Sequence, residues 1–191
     1  MITGIVLAAG LARRMGRQKL TLQLQGKAVV RWAVERIIGH VEDVVVVTGP
    51  DDTAIRQALA DLAVRFVANP RPQDGQGSSI AAGVGALKPW TRAVLIALGD
   101  QPRVPDAVVR TLLESFQRSG KAIVAPVYRD VQGTPVVFSS EMFAELRALT
   151  GDAGARAVVK AHPERVETVA FDLAMPPDVD TPEDYAKLHV Q

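Results

Sequence analysis

The sequence predicts one α/β layered domain built on a mostly parallel sheet. Three observations carry this reading. Short apolar runs alternate with stretches of helical period, at the distances that parallel crossovers need. The first run, Thr3–Ala9, is apolar on both faces, as a strand covered on both sides is. Gly10, Gly49, Asn69 and Asp100 each fall just past the carboxyl end of a predicted strand, where such sheets gather their ligands. The chain has 191 residues, enough for a single domain over 1–191 with a self-sufficient core.

In chain order, Thr3–Ala9 is a buried strand, followed by the loop Gly10–Leu20. Ala28–Ile38 has helical spacing through Val29, Trp32, Ala33 and Ile37. Asp43–Thr48 is the plainest strand, with four consecutive valines stopped by Gly49-Pro50. Asp51, Asp52 and Thr53 supply cap chemistry for a helix to about Leu62, and Val64–Ala68 is the third strand. The loop Asn69–Ser79 opens a helix over Ser79–Leu87. Arg92–Leu98 is a strand that ends in Gly99-Asp100-Gln101-Pro102, and Pro105–Ser119 is a helix with proline near its first turn. Strands follow at Ala122–Pro126 and Pro135–Phe138. Helices are predicted from Ser139/Ser140 to Leu149 and from Gly151–Arg156 to about Ala161. Val166–Phe171 is the last strand and Pro182–Leu188 the closing helix.

Composition narrows the function classes. A net charge of +1 gives the whole chain no nucleic-acid or membrane signature. The charge is unevenly placed. Arg13–Arg36 carries seven basic residues against Glu35, and Asp172–Asp184 carries five acids and no base. Such ends suit a site for an anion plus a metal, or are two solvated faces. The absence of cysteine excludes disulfides, thiolate zinc sites and a cysteine nucleophile, and it fits a reducing compartment. No stretch reaches the length of a membrane span, and no basic leader precedes the first apolar run, so a cytoplasmic location is expected.

Four stretches can carry chemistry. Gly10–Lys19 is a small-residue turn after a strand, followed by Arg13, Arg14, Arg17 and Lys19. It is not a Walker loop, since five residues separate Gly10 from Gly16 and Arg17 follows. It is not a dinucleotide fingerprint either. Small side chains let backbone amides approach phosphate oxygens, and arginine and lysine add charge, so the loop binds phosphate or is an ordinary turn with exposed cations. Asp100, at the end of the strand Ala93–Leu98, can hold Mg²⁺ or can start a turn before Pro102. In Asp178-Val179-Asp180-Thr181-Pro182 the alternation sets both acids on one side, where one can complete a metal site with Asp100. Thr181 and Pro182 also read as a helix start. Asp74–Ser79 contacts a base or ribose, or only caps a helix. His40, His162 and His189 stand beside no motif and are read as structural.

Together these stretches resemble the nucleotidyltransferases of the molybdenum-cofactor group, most closely its cytidylyltransferases. Leu7-Ala8-Ala9-Gly10-x-x-x-Arg14-Met15-Gly16-x-x-Lys19 resembles the family's nucleotide loop, and Gly75-x-Gly77-Ser78-Ser79 its base-side loop. Leu98-Gly99-Asp100-Gln101-Pro102 resembles its metal motif. Gly133-x-Pro135-Val136, Gly151-Asp152-x-Gly154-Ala155-Arg156 and Asp178-Val179-Asp180-Thr181-Pro182 resemble its later signatures. The resemblance implies a three-layer Rossmann-like fold with one reversed strand. It implies that the terminal phosphate of molybdopterin attacks the α-phosphorus of a nucleoside triphosphate and releases pyrophosphate. It places Gly10 and Arg14 on the triphosphate, Lys19 near the α-phosphate, and Asp100 and Asp180 on Mg²⁺, with Mn²⁺ an alternative. An acceptor side follows from Gln101, Pro102, Gly133, Thr134, Pro135, Asp152 and Arg156. Alanine at position 9 accompanies CTP in these families, and glycine there GTP. A molybdoenzyme or its chaperone is the implied recipient of the product. Ala12 and Thr134 depart from the family's usual residues, a polar residue and histidine or asparagine respectively.

Overall fold

The computed structural model describes residues 1–10 and 19–190, with the side chains of 189 and 190 left aside. Strands β1 (Ile2–Ala8), β4 (Asp43–Thr48), β5 (Arg65–Ala68), β6 (Ala93–Leu98), β7 (Ile123–Tyr128), β9 (Val136–Ser139) and β10 (Val166–Phe171) form one sheet in the order β10-β7-β9-β6-β1-β4-β5. All neighbours are parallel except β9, which runs against both β6 and β7. A two-residue strand β8 (Val131–Gln132) adds an antiparallel step beside β7. This is the expected mostly parallel sheet with a reversed strand.

The period-2 pattern explains the three layers. Val6 and Ala8 of β1, Val44 and Val46 of β4, and Leu95 and Ala97 of β6 point to one face. There they meet α1 (Val29–Ile38), α2 (Thr53–Ala58) and α4 (Asp106–Ser119) through Val34, Ile55 and Leu112. The intervening Ile5, Val45, Val47, Val94 and Ile96 point to the other face. They pack on α3 (Gln76–Gly85), α5 (Phe143–Arg147) and α6 (Ala155–Ala161) through Ile80, Val84, Leu146 and Val158. Helix α7 (Pro182–Val190) returns to the first face through Leu188.

Several boundaries differ from the sequence reading for local reasons. Helix α3 starts at Gln76 rather than Ser79, because Gly75 at φ 88° turns the chain directly into it. Helix α2 stops at Ala58, four residues short. The helix expected from Ser139/Ser140 to Leu149 is a 3-10 turn, Ser140–Met142, followed by the short α5. A hairpin of β2 (Gln23–Leu24) and β3 (Lys27–Ala28) was not expected. Its turn residues Gln25 and Gly26 both have positive φ, as a type I′ turn requires.

The topology locates the site. From β1 the chain moves outward to β4 and β5, then returns to place β6 on the other side of β1. The carboxyl ends of β1 and β6 are therefore the switch point where a crevice opens.

Candidate active site

Two adjoining clefts lie at that switch point. The first, of about 180 Å³, is lined by Leu7, Ala9 and Gly10 after β1, by Lys19 and Leu20, by Gly75, Gln76 and Ser79 at the start of α3, and by Asp100 after β6. The second, of about 400 Å³, is lined by Thr134, Asp152, Arg156, Lys160 and Asp178. Leu7, Gln76 and Leu98 line both, so the clefts share a wall.

Close backbone approach makes the first cleft. The Gly99 amide donates to the Leu7 carbonyl at 2.9 Å, and a Cβ at Gly99 would stand 2.9 Å from that oxygen. Glycine is needed for the ends of β1 and β6 to meet. On the opposite wall, a Cβ on Gly75 would lie 2.3 Å from the Gly151 carbonyl, and one on Gly77 would lie 2.8 Å from that of Thr150. The Gly77 amide also donates to Gly151 at 2.9 Å. The start of α3 is thus pressed onto the Thr150–Asp152 turn, which joins the two clefts mechanically.

The buried Asn69 organises this base-side loop. Its amide donates to Ser78 Oγ at 2.8 Å and Ser79 Oγ at 3.0 Å, and its carbonyl accepts from the Arg71 amide at 3.0 Å. Ser78 is spent inside the loop, donating toward the Gly75 carbonyl at 2.8 Å, whereas Ser79 reaches the cleft.

The centre of the crevice is a charge triangle. The Lys19 ammonium donates to Asp100 Oδ2 at 2.7 Å and to Asp180 Oδ1 at 2.6 Å. The Val179 amide bonds the Asp100 carbonyl at 3.0 Å and the Val179 side chain is fully buried, which fixes the Asp178–Asp180 segment against the β6 loop. Thr181 and Asp184 then form a reciprocal cap: Thr181 Oγ1 accepts from the Asp184 amide at 3.2 Å, and Asp184 Oδ2 accepts from the Thr181 amide at 3.0 Å. Burial pulls the Lys19 pKa down, but the two carboxylates more than offset this, and it stands above its ordinary value. Asp178 goes the other way. Burial first, and then the charge of Asp100, hold its carboxyl above the usual range against the Gln101 hydrogen bond.

Two carboxylates converging on one cation are also a hard-oxygen donor pair suited to Mg²⁺ or Mn²⁺, which need few protein ligands when substrate phosphates complete the shell. Among the described residues no set of three His, Asp or Glu side chains gathers to hold a metal by itself.

The predicted residues separate by position. Leu7, Ala9, Gly10, Lys19, Ser79 and Asp100 line the first cleft, with Ala8 buried behind them and Gly77 forming the α3 contact. Thr134, Asp152 and Arg156 line the second. Gln101, Gly133 and Pro135 form its buried backing. Thr134 Oγ1 donates to Gln101 Oε1, and Gly133 packs where a Cβ would meet the Tyr128 ring at 2.6 Å. Pro102 lines neither cleft. It faces a small hollow with Trp32, Arg36 and Arg103. Arg14 lies outside the described residues. His40 and His162 pair with Asp106 and Glu145 away from both clefts. Sequence reasoning included Gln76 only within the Asp74–Ser79 stretch, and it missed Lys160 and the acceptor-side position of Asp178. Lys160 stands four residues after Arg156, on the same helical face, which is a legible signal.

A family model described as the MobA-like NTP transferase domain matches residues 4–166, a span that holds both clefts except for the Asp178–Asp180 segment. The chain belongs to this family. As a MobA-like NTP transferase it is a nucleotidyltransferase enzyme. It is 32% identical to nicotine blue oxidoreductase of Paenarthrobacter nicotinovorans over 198 residues, covering 98% of this chain and 96% of that one. It is 30% identical to the purine catabolism protein PucB of Bacillus subtilis, covering 96% and 94%. The molybdenum cofactor cytidylyltransferase of Escherichia coli is 22% identical, covering 95% and 92%. The MobA-like fold is also that of Rv0371c from Mycobacterium tuberculosis H37Rv. Its crystal structure superposes with a TM-score of 0.89 at 29% identity over 100% of this chain and 98% of that one. A complex of Rv0371c with manganese superposes at 0.83, with 28% identity over 100% and 98%.

Proposed function

We propose that this MobA-like NTP transferase transfers CMP from CTP to the terminal phosphate of molybdopterin and releases pyrophosphate. The observation that carries the reading is the convergence of Lys19, Asp100 and Asp180 beside the first cleft, which shares the wall of Leu7, Gln76 and Leu98 with the larger second cleft. In this reading Gly10, Arg14 and Lys19 take the triphosphate, and Ser79 and Ala9 face the base and ribose. Arg156 and Lys160 supply positive charge to the acceptor cleft, and Asp152 and Asp178 supply its hydrogen-bonding groups. Mg²⁺ or Mn²⁺ held by Asp100 and Asp180 would screen the meeting anions and neutralise charge on the leaving pyrophosphate. Rv0371c in complex with manganese supports a divalent ion here.

The chemistry asks little else of the protein. A phosphate monoester has its second pKa near ~6 and is mostly dianionic at neutral pH, so it needs no general base. The barrier is the approach of two anions, which Lys19 near the α-phosphate and Arg14 on the triphosphate would lower by supplying positive charge. The methyl group of Ala9 in the cleft wall favours a pyrimidine by narrowing the space for a purine.

One observation favours a second acceptor. The Thr134 hydroxyl is turned inward to Gln101 and Thr134 is buried, so this position offers the acceptor less polar surface than a longer side chain would. Another small phosphorylated molecule is the alternative within the same reaction class. Pyrophosphate release, followed with each of the four triphosphates against molybdopterin and a panel of other phosphomonoesters, decides both choices. The proposal expects CTP with molybdopterin to lead. Preference for GTP removes the cytidylyl part, and preference for another acceptor removes the molybdopterin part.

A further inference from the structure

Among the described residues, four buried side-chain nitrogen or oxygen atoms have no hydrogen-bond partner, and two of them carry charge: Arg36 Nε and Arg103 Nε. Both arginines line one small hollow, together with Leu24, Gln25, Trp32 and Pro102. The hollow shares no lining residue with either cleft. Arg36 comes from the last turn of α1, Arg103 from the loop after β6, and Leu24 and Gln25 from the β2–β3 hairpin. The surrounding groups are engaged elsewhere. Trp32 Nε1 donates to the Leu24 carbonyl at 2.7 Å, and Lys27 and Arg36 flank the Trp32 ring at 4.7 and 5.4 Å. Glu35 accepts from Lys27 at 2.6 Å and from Arg31 at 2.9 Å. Asp106, whose carboxyl feels the charge of Arg36, is bonded to His40 at 2.6 Å. No carboxylate lines the hollow itself.

A buried donor without an acceptor is costly, and a charged one more so. Two such donors on the residues of one hollow point to a ligand that supplies the acceptors. A water accepts from an N–H and leaves both positive charges uncompensated, whereas an anion answers both needs. From this geometry we propose that the hollow is a phosphate site, separate from the nucleotide and acceptor clefts. Two guanidinium groups match a phosphate group, which carries about −1.5 to −2 charge at neutral pH and presents several acceptor oxygens. At about 30 Å³ the hollow takes the oxygens of one such group and has no room for a nucleoside. Gln25 is exposed, so the mouth opens to solvent past the hairpin turn. The chain joins this site to the crevice. Arg103 follows Asp100 by three residues and donates to the Leu188 carbonyl at 2.7 Å on α7, the helix that begins two residues after Asp180. A phosphate held by Arg103 therefore fixes a side chain that ties together the segments carrying Asp100 and Asp180. The site requires nothing of the nucleotidyl-transfer reading.

The test reads Trp32, which lines the hollow. The second tryptophan, the exposed Trp90, is removed by Trp90→Phe so that Trp32 is the sole reporter. Inorganic phosphate is titrated against tryptophan fluorescence at neutral pH and constant ionic strength, with chloride as the control. A saturable change is expected with phosphate and none with chloride. In the same background Arg36→Met and Arg103→Met each weaken phosphate binding at least about tenfold, because each removes a charge-assisted partner. Lys19→Met, in the first cleft, leaves the affinity unchanged. Arg36→Lys and Arg103→Lys keep the charge and lose Nε, and they replace a methionine variant that does not fold, with weakening again expected. Glycerol 3-phosphate distinguishes the sources of the ligand. Binding as tight as that of inorganic phosphate supports a phosphate group on a larger molecule, and weaker binding supports the free ion. No saturable response to phosphate, an equal response to chloride, or a response that survives both arginine substitutions overturns the proposal. Loss of the response in Lys19→Met with both arginines intact also overturns it, by placing the phosphate in the first cleft.

Discussion

The hydroxyl of Thr134 donates to the side-chain carbonyl of Gln101 at 2.5 Å, with both residues buried. The amide end of Gln101 donates in turn to Asp178 at 2.7 Å. One glutamine therefore spans from the reversed-strand loop to the acidic segment, and it does so one residue after Asp100. Gln101→Ala leaves the buried Thr134 hydroxyl and the half-buried Asp178 carboxylate without these partners, a loss of about 1–3 kcal/mol for the buried hydroxyl and less for the carboxylate, which the cleft leaves open to water. Denaturant unfolding is expected to show a loss of about 1–3 kcal/mol. Steady-state kinetics are expected to show a raised KM for the acceptor with little change for the nucleotide.

Asp178 sets a pH dependence of stability. Its folded pKa is raised, chiefly by burial and next by the charge of Asp100, so the folded chain holds this proton at pH values where the unfolded chain has released it. Stability from this group is present below the unfolded value of about 3.9 and falls as pH rises through the folded value. Asp178→Asn keeps an oxygen for Gln101 and removes the titration. Thermal melts across pH are expected to show the variant more stable than the wild type at neutral pH, with the advantage vanishing in acid. A less stable variant at pH 7 contradicts the assignment.

Gly75 has φ 88° and no room for a Cβ, which would overlap the Gly151 carbonyl. Backbone strain and overpacking act together in Gly75→Ala, and a loss of about 2–4 kcal/mol is expected in chemical denaturation. Because this contact joins the two cleft walls, calorimetry should also show weakened binding of a CTP analogue.

Ala9→Gly removes the methyl group of a residue that lines the first cleft and that the proposed function assigns to nucleotide choice. One methyl group discriminates by about 1–3 kcal/mol, so the ratio of kcat/KM for CTP over GTP should fall by about 10–200-fold. An unchanged ratio places nucleotide choice elsewhere, with Ser79 and Gln76 on the facing wall the next residues to test.

How much of this was legible in the sequence varied with the range of the interactions. Strands β1, β4 and β6 were plain because burial on both faces writes itself as unbroken apolar runs, as in Val44–Val47. The β2–β3 hairpin was hidden because two-residue strands have no period to detect, and its stability comes from distant partners. Trp32 Nε1 donates to the Leu24 carbonyl at 2.7 Å, and Tyr185 Oη donates to that of Gln23 at 2.5 Å. The residues alone left Asp178 and Asp180 open as the companion of Asp100, and the choice of Asp180 came from the family resemblance. The bridging of Asp100 and Asp180 by Lys19 was not readable, since it depends on contacts across separations of 81 and 161 residues. The place of Gln76 on both clefts was hidden for a related reason: it exists only once α3 is pressed against the turn before α6.

The most direct test of the account follows the α-phosphorus itself. CTP labelled at that atom is incubated with molybdopterin and Mg²⁺, and the pterin product is isolated and counted. The wild type is expected to carry label into a molybdopterin–CMP product, and Asp100→Asn to do so about 10²–10³-fold more slowly. Label that never reaches an acceptor, or an Asp100→Asn variant as fast as the wild type, would contradict the central claim.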